Sequence, residues 1–286
     1  MRGLRHLMKN CIHQSQRSSI IQTVRFFTSD SAKPYSLPNN AWGRNRACRL
    51  ELACAYRGLD KLELNEGVCN HLTAMAPAAD GQGEVMLVFP YGQHWSEVQA
   101  SSILGVDSNG STVEGEGRPE TTAACIHLGI RKVNPDAKII MHTHQPWATA
   151  MGCLEDPSMK MVHQNSTRFF QRVAYDTSYS GLANAIEEGE RLGHLLGDKD
   201  MLVMGNHGVL AVAKTIAMAF DHLYFFERAA QVQMLAMSTG EKVRLISKEQ
   251  SESGCKTFWE DLQMYADVHF YSMYRRLRNI SPDFEL

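Results

Sequence analysis

Three histidines in this sequence stand directly after apolar runs that are typical of buried strands. His142 and His144 follow one such run, and His207 follows another in an Asn-His-Gly turn. Side chains two residues apart on a strand leave the same face, so the first two imidazoles can reach one point. Gly208 lets the chain turn tightly beside the third. Three imidazoles with a fourth position open are typical of catalytic zinc, although imidazole also suits nickel, copper or iron.

A pair of hydroxyl residues precedes a predicted helix over residues 119–133. Thr121 and Thr122 lie beside the first free backbone amides of this helix, and that arrangement can bind an anion. The same two residues would be equally well placed as simple helix caps. The sequence alone leaves both interpretations open.

The composition excludes several classes of protein. The 286 residues are 44% hydrophobic and 21% charged, as in an ordinary globular protein with one large domain. A formal net charge of -2 gives no indication of a basic surface that would bind nucleic acid or an acidic membrane. No apolar run approaches the roughly 20 residues of a transmembrane helix. The 7 cysteines include no Cys-x-x-Cys pair, which indicates reduced thiols rather than disulfides.

The first part of the chain differs in composition from the rest. It is rich in arginine, contains serine and threonine, and has no acidic residue before Asp30. This composition is typical of a mitochondrial transit peptide, and a disordered basic tail is the alternative. We therefore predict a transit peptide or disordered segment over 1–38 and a folded domain with C-terminal helices over 39–286. The predicted location is the mitochondrion, with the cytoplasm or cytoskeleton as the alternative.

Apolar periodicity predicts helices and strands interspersed along one core. Helical spacing covers residues 41–64, 119–133, 161–172, 182–196, 215–238 and 255–276. Strand patterns cover 85–90, 103–107, 138–141 and 201–204, and a further strand opens within 66–73. With no internal repeat, this arrangement predicts a single α/β domain with αβα layers.

The segments around the histidines resemble the class II aldolase/adducin family. The resemblance rests on the Asn-Pro-Asp run that ends at Asp136, on the two histidines after it, and on the Gly-Asn-His-Gly-Val-Leu-Ala-Val run that ends at Val212. It extends over about residues 41–244. It implies a three-layer αβα domain with a mixed, mostly antiparallel sheet. It also implies that His142, His144 and His207 bind a divalent metal, usually zinc, in a homotetramer with active sites between subunits.

The same resemblance implies roles for further residues. Asn70, Gly92, Thr121 and Thr122 match positions that hold the substrate, often at its phosphate. Tyr175 matches an acid/base tyrosine near the subunit interface, and Tyr179 is the alternative because the segment is one residue longer than usual. His71 is not expected to be a metal ligand, since its neighbour Asn70 should point inward.

The chain departs from the family at one position that matters for catalysis. The catalytic branches carry an acidic residue four positions before a helical histidine. Here His127 matches that histidine, so Ala123 stands in the place of the acid. Alanine can neither bind metal nor move a proton. Glu120, one helical turn earlier, or Glu116 could supply a carboxylate instead. In the remaining alternative the acid is lost, as in adducin head domains.

Two functions are therefore open from the sequence. The first is a metal-dependent lyase that performs aldol cleavage, epimerisation or decarboxylation on a small phosphorylated or acidic sugar. The second is a non-catalytic, adducin-like oligomeric scaffold, for which an association with the actin cytoskeleton is implied by the resemblance only. A carboxylate within ligand distance of the histidines would favour the enzyme, and an apolar plug in the pocket would favour the scaffold.

Overall fold

An eight-stranded sheet forms the centre of the molecule in a computed structural model that describes residues 33–286. Its spatial order is β4-β3-β2-β1-β5-β8-β7-β6. The strands are β1 (His71–Pro77), β2 (Glu84–Val88), β3 (Leu104–Val106), β4 (Thr112–Glu114), β5 (Ile139–Thr143), β6 (Val173–Asp176), β7 (Met201–Met204) and β8 (Gly208–Ala213).

All neighbouring strands of this sheet run antiparallel except one pair. β6 and β7 are parallel, with Val173 opposite Met201. The central pairing of β1 with β5 places His71 opposite His142. The predicted mixed, mostly antiparallel sheet is therefore confirmed.

Helices cover both faces of the sheet. They are α1 (Ala41–Lys61), α2 (Thr121–Val133), α3 (Pro146–Gly152), α4 (Ile186–Leu196), α5 (Ile216–Met237), α6 (Lys248–Glu260) and α7 (Leu262–Ile280). Short 3₁₀ turns occupy Trp95–Glu97, Gln164–Phe169 and Pro282–Glu285. No helix within the described residues is long and apolar enough to cross a membrane.

Alternation along the strands divides the apolar core between the two faces. On β8, Val209 and Ala211 belong to the core under α1, α5 and α7, whereas Leu210 and Val212 belong to the core under α2 and α4. This division follows from the two-residue period of side chains on a strand. The three-layer αβα architecture predicted from the sequence is confirmed.

Glycines allow α2 and α4 to approach each other closely. A Cβ atom on Gly129 would lie 2.5 Å from the carbonyl oxygen of Ile186, and one on Gly189 would lie 2.3 Å from that of Cys125. Neither position has room for a side chain. This contact sets the direction of α2. The N-terminal end of α2 faces His142, His144 and His207.

Several element boundaries differ from those predicted. The helix predicted over 161–172 is a 3₁₀ turn followed by loop and by β6, and the final helix is two helices separated at Asp261. The helix predicted from residue 182 begins at Ile186, after a segment without regular structure. Tertiary contacts overrode the helical periodicity at these positions, as they often do in short segments.

The predicted N-terminal segment lies mostly outside the described residues. Residues 1–32 are not described, so the transit-peptide interpretation remains a prediction. Tyr35 and Leu37, ahead of the boundary predicted at residue 38, pack against the core. The ring of Tyr35 lies 5.9 Å from that of Tyr274, centroid to centroid.

Candidate metal centre and its cavity

The three histidines singled out from the sequence converge at one edge of the sheet. His142 is the next-to-last residue of β5, His144 directly follows that strand, and His207 lies in the turn between β7 and β8. One ring nitrogen from each lies within 4.8 Å of the others, and among the described residues these three alone form such a cluster of potential metal ligands. The Nε2 atoms of His142 and His144 are 3.1 Å apart. We call these three residues the histidine cluster.

Hydrogen bonds at the far side of two rings orient them towards a common point. Nδ1 of His142 donates to the carbonyl oxygen of Val209 at 3.0 Å. Nδ1 of His144 contacts a carboxylate oxygen of Glu66. Both rings therefore keep Nε2 free, which is how metal-binding histidines are held by their outer partners. Sequence reasoning missed Glu66, although it opens the segment that carries Asn70.

The cluster fits a divalent transition metal in protonation and in spacing. Burial lowers the pKa of His142, and it lowers the pKa of His207 to about 4, so both rings are neutral at pH 7. A neutral imidazole is the form that binds metal. Tetrahedral zinc at the usual Zn–N distance separates its nitrogens by about 3.3 Å. The 3.1 Å between His142 and His144 is close to this value.

A cavity of roughly 640 Å³ opens over the cluster. Its wall combines charged and polar side chains with apolar ones, so polar groups are available to orient a small ligand. Besides the cluster its lining includes Glu66, Cys69, Asn70, His71, Glu120, Thr122, Ile126, Thr149, Tyr179, Leu182, Ala183 and Asn206.

Asn70 joins the cavity to the histidine cluster. Its Oδ1 accepts hydrogen bonds from the backbone N–H groups of Glu66 and His144, each at 3.1 Å. Its backbone is left-handed, with φ of 75°, a conformation that asparagine tolerates better than most residues. Its Nδ2 is buried and has no hydrogen-bond partner. This amide therefore has a hydrogen available for a ligand, and the substrate-binding role of Asn70 stays a prediction.

The N-terminus of α2 contributes Glu120 and Thr122 to the cavity, but not Thr121. The hydroxyl of Thr122 donates to Oε1 of Glu120 at 2.6 Å. Glu120 makes no capping bond to the helix. Its carboxylate is not part of the histidine cluster, so it faces the cavity rather than serving as a fourth protein ligand.

Three other predicted positions lie away from the cavity lining. Gly92 occupies a turn with φ of 90° after β2, Glu116 is exposed, and Ala123 is completely buried. None of the three lines the cavity. The carboxylate that the structure brings into the cavity from this region is Glu120.

The two candidate tyrosines have different surroundings. The hydroxyl of Tyr175 accepts a hydrogen bond from the backbone N–H of Met159 at 2.9 Å, and burial raises its pKa to about 12. Tyr175 packs against the core rather than lining the cavity. Tyr179, the alternative considered from the sequence, lines the cavity and is 59% exposed.

His71 lies in the cavity wall, although its type and position drew no functional prediction. It is outside the histidine cluster, and the expectation that it is not a metal ligand stays a prediction. Its ring lies 5.0 Å from that of His142, centroid to centroid, and its Nδ1 lies 3.0 Å from Nε2 of His127. Burial lowers the pKa of His71 to about 3. A histidine opposite a predicted ligand on the neighbouring strand was the signal that could have identified it.

Comparison with known proteins places this fold and site in one family. Residues 50–234 match the model of the Class II Aldolase and Adducin N-terminal domain. The chain is 30% identical over 242 residues to an adducin-related protein of Schizosaccharomyces pombe, which covers 77% of this chain and 72% of that protein. The chain therefore belongs to the class II aldolase and adducin N-terminal domain family.

Solved structures agree with this assignment. An aldolase II superfamily protein from Pseudomonas syringae superposes with a TM-score of 0.76 and 26% identity, covering 85% of this chain and 96% of that one. L-fuculose 1-phosphate aldolase from Glaciozyma antarctica PI12 gives a TM-score of 0.76 at 21% identity, covering 88% and 96%. At that identity the second likeness shows the fold alone.

Proposed function

We propose that this chain is a metal-dependent lyase of the class II aldolase type, with zinc held by His142, His144 and His207. The proposed reaction is aldol cleavage, epimerisation or decarboxylation of a small phosphorylated or acidic sugar. The observation that carries the proposal is the convergence of the histidine cluster at an open cavity that Asn70 and Glu120 also line. A merely structural site would have its coordination completed by the protein.

The chain's own residues supply binding and proton transfer in this proposal. A bound zinc ion would polarise the substrate oxygen as a Lewis acid. The unpaired amide of Asn70 donates to an anionic group of the substrate. Glu120 accepts or returns the proton at the reacting carbon, because its carboxylate is the acidic group that α2 offers to the cavity. Tyr179, which also lines the cavity, can exchange a proton with the substrate hydroxyl that becomes the carbonyl oxygen of the product in aldol cleavage.

Glu120 is thus proposed to compensate for the acid replaced by Ala123. Its Oε1 already accepts from Thr122 at 2.6 Å, which holds the carboxylate in place. Thr122 is consequently a positioning residue for Glu120. The predicted role of Thr122 as a direct phosphate ligand becomes secondary to this contact.

The second candidate function is an adducin-like oligomeric scaffold. It is favoured by the likeness to an adducin-related protein and by the absence of a carboxylate from the histidine cluster. The open cavity argues against it, because no apolar side chain plugs the space over the described histidines. Association with the actin cytoskeleton belongs to this candidate alone.

Assembly and location are part of the same proposal. We propose a homotetramer, in which the exposed Leu182 at the cavity mouth would be covered by a neighbouring subunit. The mitochondrial location is proposed from the arginine-rich composition of residues 1–28.

Elemental analysis of the purified chain tests the proposal directly. We expect about one zinc per chain after reconstitution, and none in the His142→Ala/His144→Ala double variant. A screen of small sugar phosphates and sugar acids would then identify the substrate. A wild-type chain that binds no transition metal after reconstitution would contradict the lyase proposal and favour the scaffold.

A further inference from the structure

A chain of hydrogen-bonded polar side chains leads from α2 through the core to the cavity. Arg131 donates from Nη2 to Oγ1 of Thr73 at 2.8 Å. Oγ1 of Thr73 lies 2.7 Å from Nδ1 of His127, and Nε2 of His127 lies 3.0 Å from Nδ1 of His71. Thr73 and His127 are completely buried, and His71 is 2% exposed.

The position of every hydrogen atom in this series of hydrogen bonds follows from Arg131, at its inner end. A guanidinium group has donors but no acceptor, so Thr73 must accept from Arg131. Burial lowers the pKa of Arg131 to about 9, which leaves it charged at pH 7. The hydroxyl hydrogen of Thr73 then has Nδ1 of His127 as its acceptor.

The positions of the ring hydrogens on His127 and His71 follow from the hydroxyl of Thr73. Because Nδ1 of His127 accepts, this ring carries its hydrogen on Nε2 and donates to Nδ1 of His71. His71 in turn must carry its own hydrogen on Nε2. The opposite direction would leave the buried hydroxyl hydrogen of Thr73 without an acceptor, which folded proteins avoid.

Nε2 of His71, at the outer end of these hydrogen bonds, is a donor without a hydrogen-bond partner among residues 33–286. His71 lines the cavity, and Oε2 of Glu120 lies 3.7 Å from its Nε2, too far for a hydrogen bond. The rings of His71 and His142 are 5.0 Å apart, so a ligand at the histidine cluster would lie beside this N–H.

We propose that His71 is a further catalytic residue, a neutral imidazole whose Nε2–H donates a hydrogen bond to the anionic oxygen of a substrate bound at the histidine cluster. His127, Thr73 and Arg131 are positioning residues that hold the tautomer. The inference rests on the proposed lyase function. No proton is transferred along these hydrogen bonds. They hold the Nε2–H of His71 as a fixed donor for an oxygen on which negative charge develops.

A fixed donor of this kind suits the substrate class proposed above. Aldol cleavage, epimerisation and decarboxylation all place negative charge on an enediolate or enolate oxygen. A donor oriented in advance stabilises that charge without reorganising, and removing one such donor lowers kcat by about 10²–10³-fold in enzymes where this has been measured.

The tautomers can be read directly by nuclear magnetic resonance. We would label the histidines of the full chain with ¹⁵N, in metal-free and zinc-loaded forms, and record long-range ¹H–¹⁵N correlations at neutral pH. The His71→Gln variant assigns the His71 signals. We expect both His71 and His127 to carry hydrogen on Nε2, and a His71 ring with its hydrogen on Nδ1 would overturn the proposal.

Two variants at Thr73 test whether the hydrogen bonds that lead from Arg131 to His71 determine the tautomer of His71. Thr73→Val removes the hydroxyl and should leave His71 as a mixture of tautomers, whereas Thr73→Ser keeps the hydroxyl and should match the wild type. An unchanged His71 tautomer in folded Thr73→Val would contradict the positioning role. Should Thr73→Val fail to fold, the wild-type tautomer still decides the proposal.

Binding of oxalate, a planar dianion that resembles an enediolate, tests the donor itself. We expect His71→Phe to weaken oxalate binding to the zinc-loaded chain by about 10- to 100-fold, the loss typical of a hydrogen bond to a charged group. His71→Gln, whose amide can reach a similar position, should recover part of that loss. Equal binding in all three proteins, at equal zinc content, would overturn the inference. Absence of bound zinc would instead contradict the proposed function, while the tautomers remain measurable.

Discussion

The carboxylate of Glu66 is hydrogen-bonded to Nδ1 of His144, on the side of the ring opposite the histidine cluster. The side chain of Asn70 joins the same two residues through their backbone N–H groups. The loop before β1 is thereby tied to the end of β5. The orientation of one proposed metal ligand and one proposed substrate contact thus depend on a single short segment of the chain.

We expect Glu66→Gln to weaken zinc binding by about 10- to 100-fold, since an outer carboxylate fixes the ring and raises its basicity. Competition with a chelator of known affinity measures the change. Glu190→Gln is the control, because Glu190 pairs with Lys132 on the surface. Equal zinc affinities for Glu66→Gln and the wild type would show that the carboxylate contact does not matter for the metal.

Gly208→Ala should remove metal binding by displacing the histidines. A Cβ atom there would lie 2.6 Å from the carbonyl oxygen of Thr143 and 2.7 Å from Cδ2 of His144. We expect the free energy of unfolding to fall by about 1–3 kcal/mol, as for other overpacked sites. Gly129→Ala is the matched control. Its Cβ atom would also clash with backbone atoms, but at the contact between α2 and α4. It should lower stability and leave zinc stoichiometry at the wild-type value, so zinc loss in both variants would contradict the local explanation.

Tyr175→Phe and Tyr179→Phe should separate a structural tyrosine from a functional one. Removing the hydroxyl of Tyr175 leaves the N–H of Met159 without its partner, so the free energy of unfolding should fall by about 1–3 kcal/mol. Tyr179→Phe should change it by less than about 0.5 kcal/mol, because the side chain is exposed. Turnover of the substrate found by screening should fall in Tyr179→Phe only. A larger loss of turnover in Tyr175→Phe would favour the acid/base assignment made from the sequence.

Glu120→Gln should abolish most of the turnover without releasing the metal. Loss of a group that moves the substrate proton lowers kcat by about 10²–10⁴-fold. Zinc content should stay at the wild-type value, because Glu120 is outside the histidine cluster. Glu116→Gln, at an exposed position outside the cavity, is the matched control. Wild-type kcat in Glu120→Gln would exclude this carboxylate as the proton carrier.

The metal-free protein should lose stability as pH falls below about 6.5. Burial depresses the pKa of His71 to about 3 and that of His207 to about 4, and it also lowers the pKa of His127 and His142. Between these values and the ordinary pKa of about 6.5, the unfolded chain binds more protons than the folded chain. Each such histidine lowers the free energy of unfolding by at most about 1.4 kcal/mol per pH unit in that window.

Urea unfolding in the presence of a chelator, at several pH values from 7.5 to about 4.5, measures this dependence. His194→Gln, at an exposed position on α4, should leave the slope unchanged. A free energy of unfolding that stays constant over the window would show that the buried histidines accept protons in the folded state.

The register of the sheet explains why Tyr175 does not line the cavity and why His71 was overlooked. Tyr175 pairs with Val203 and shares its face of the sheet, which belongs to the core under α1, α5 and α7. His71 pairs with His142 across β1 and β5, which brings it beside the cluster. A shift of one residue in either register would reverse these faces, and the sequence does not encode register directly.

The sequence by itself determined the features that depend on local spacing. The two-residue separation of His142 and His144 on a strand, the turn at His207, and the alternation of apolar residues were sufficient to indicate a candidate metal site and the layered fold. Only the tertiary structure decided which distant groups meet that site. Glu66 at His144, and the chain from Arg131 to His71, join residues on different elements whose approach depends on packing of the whole core. Such contacts are set by the summed burial of many side chains, and no local pattern carries that information.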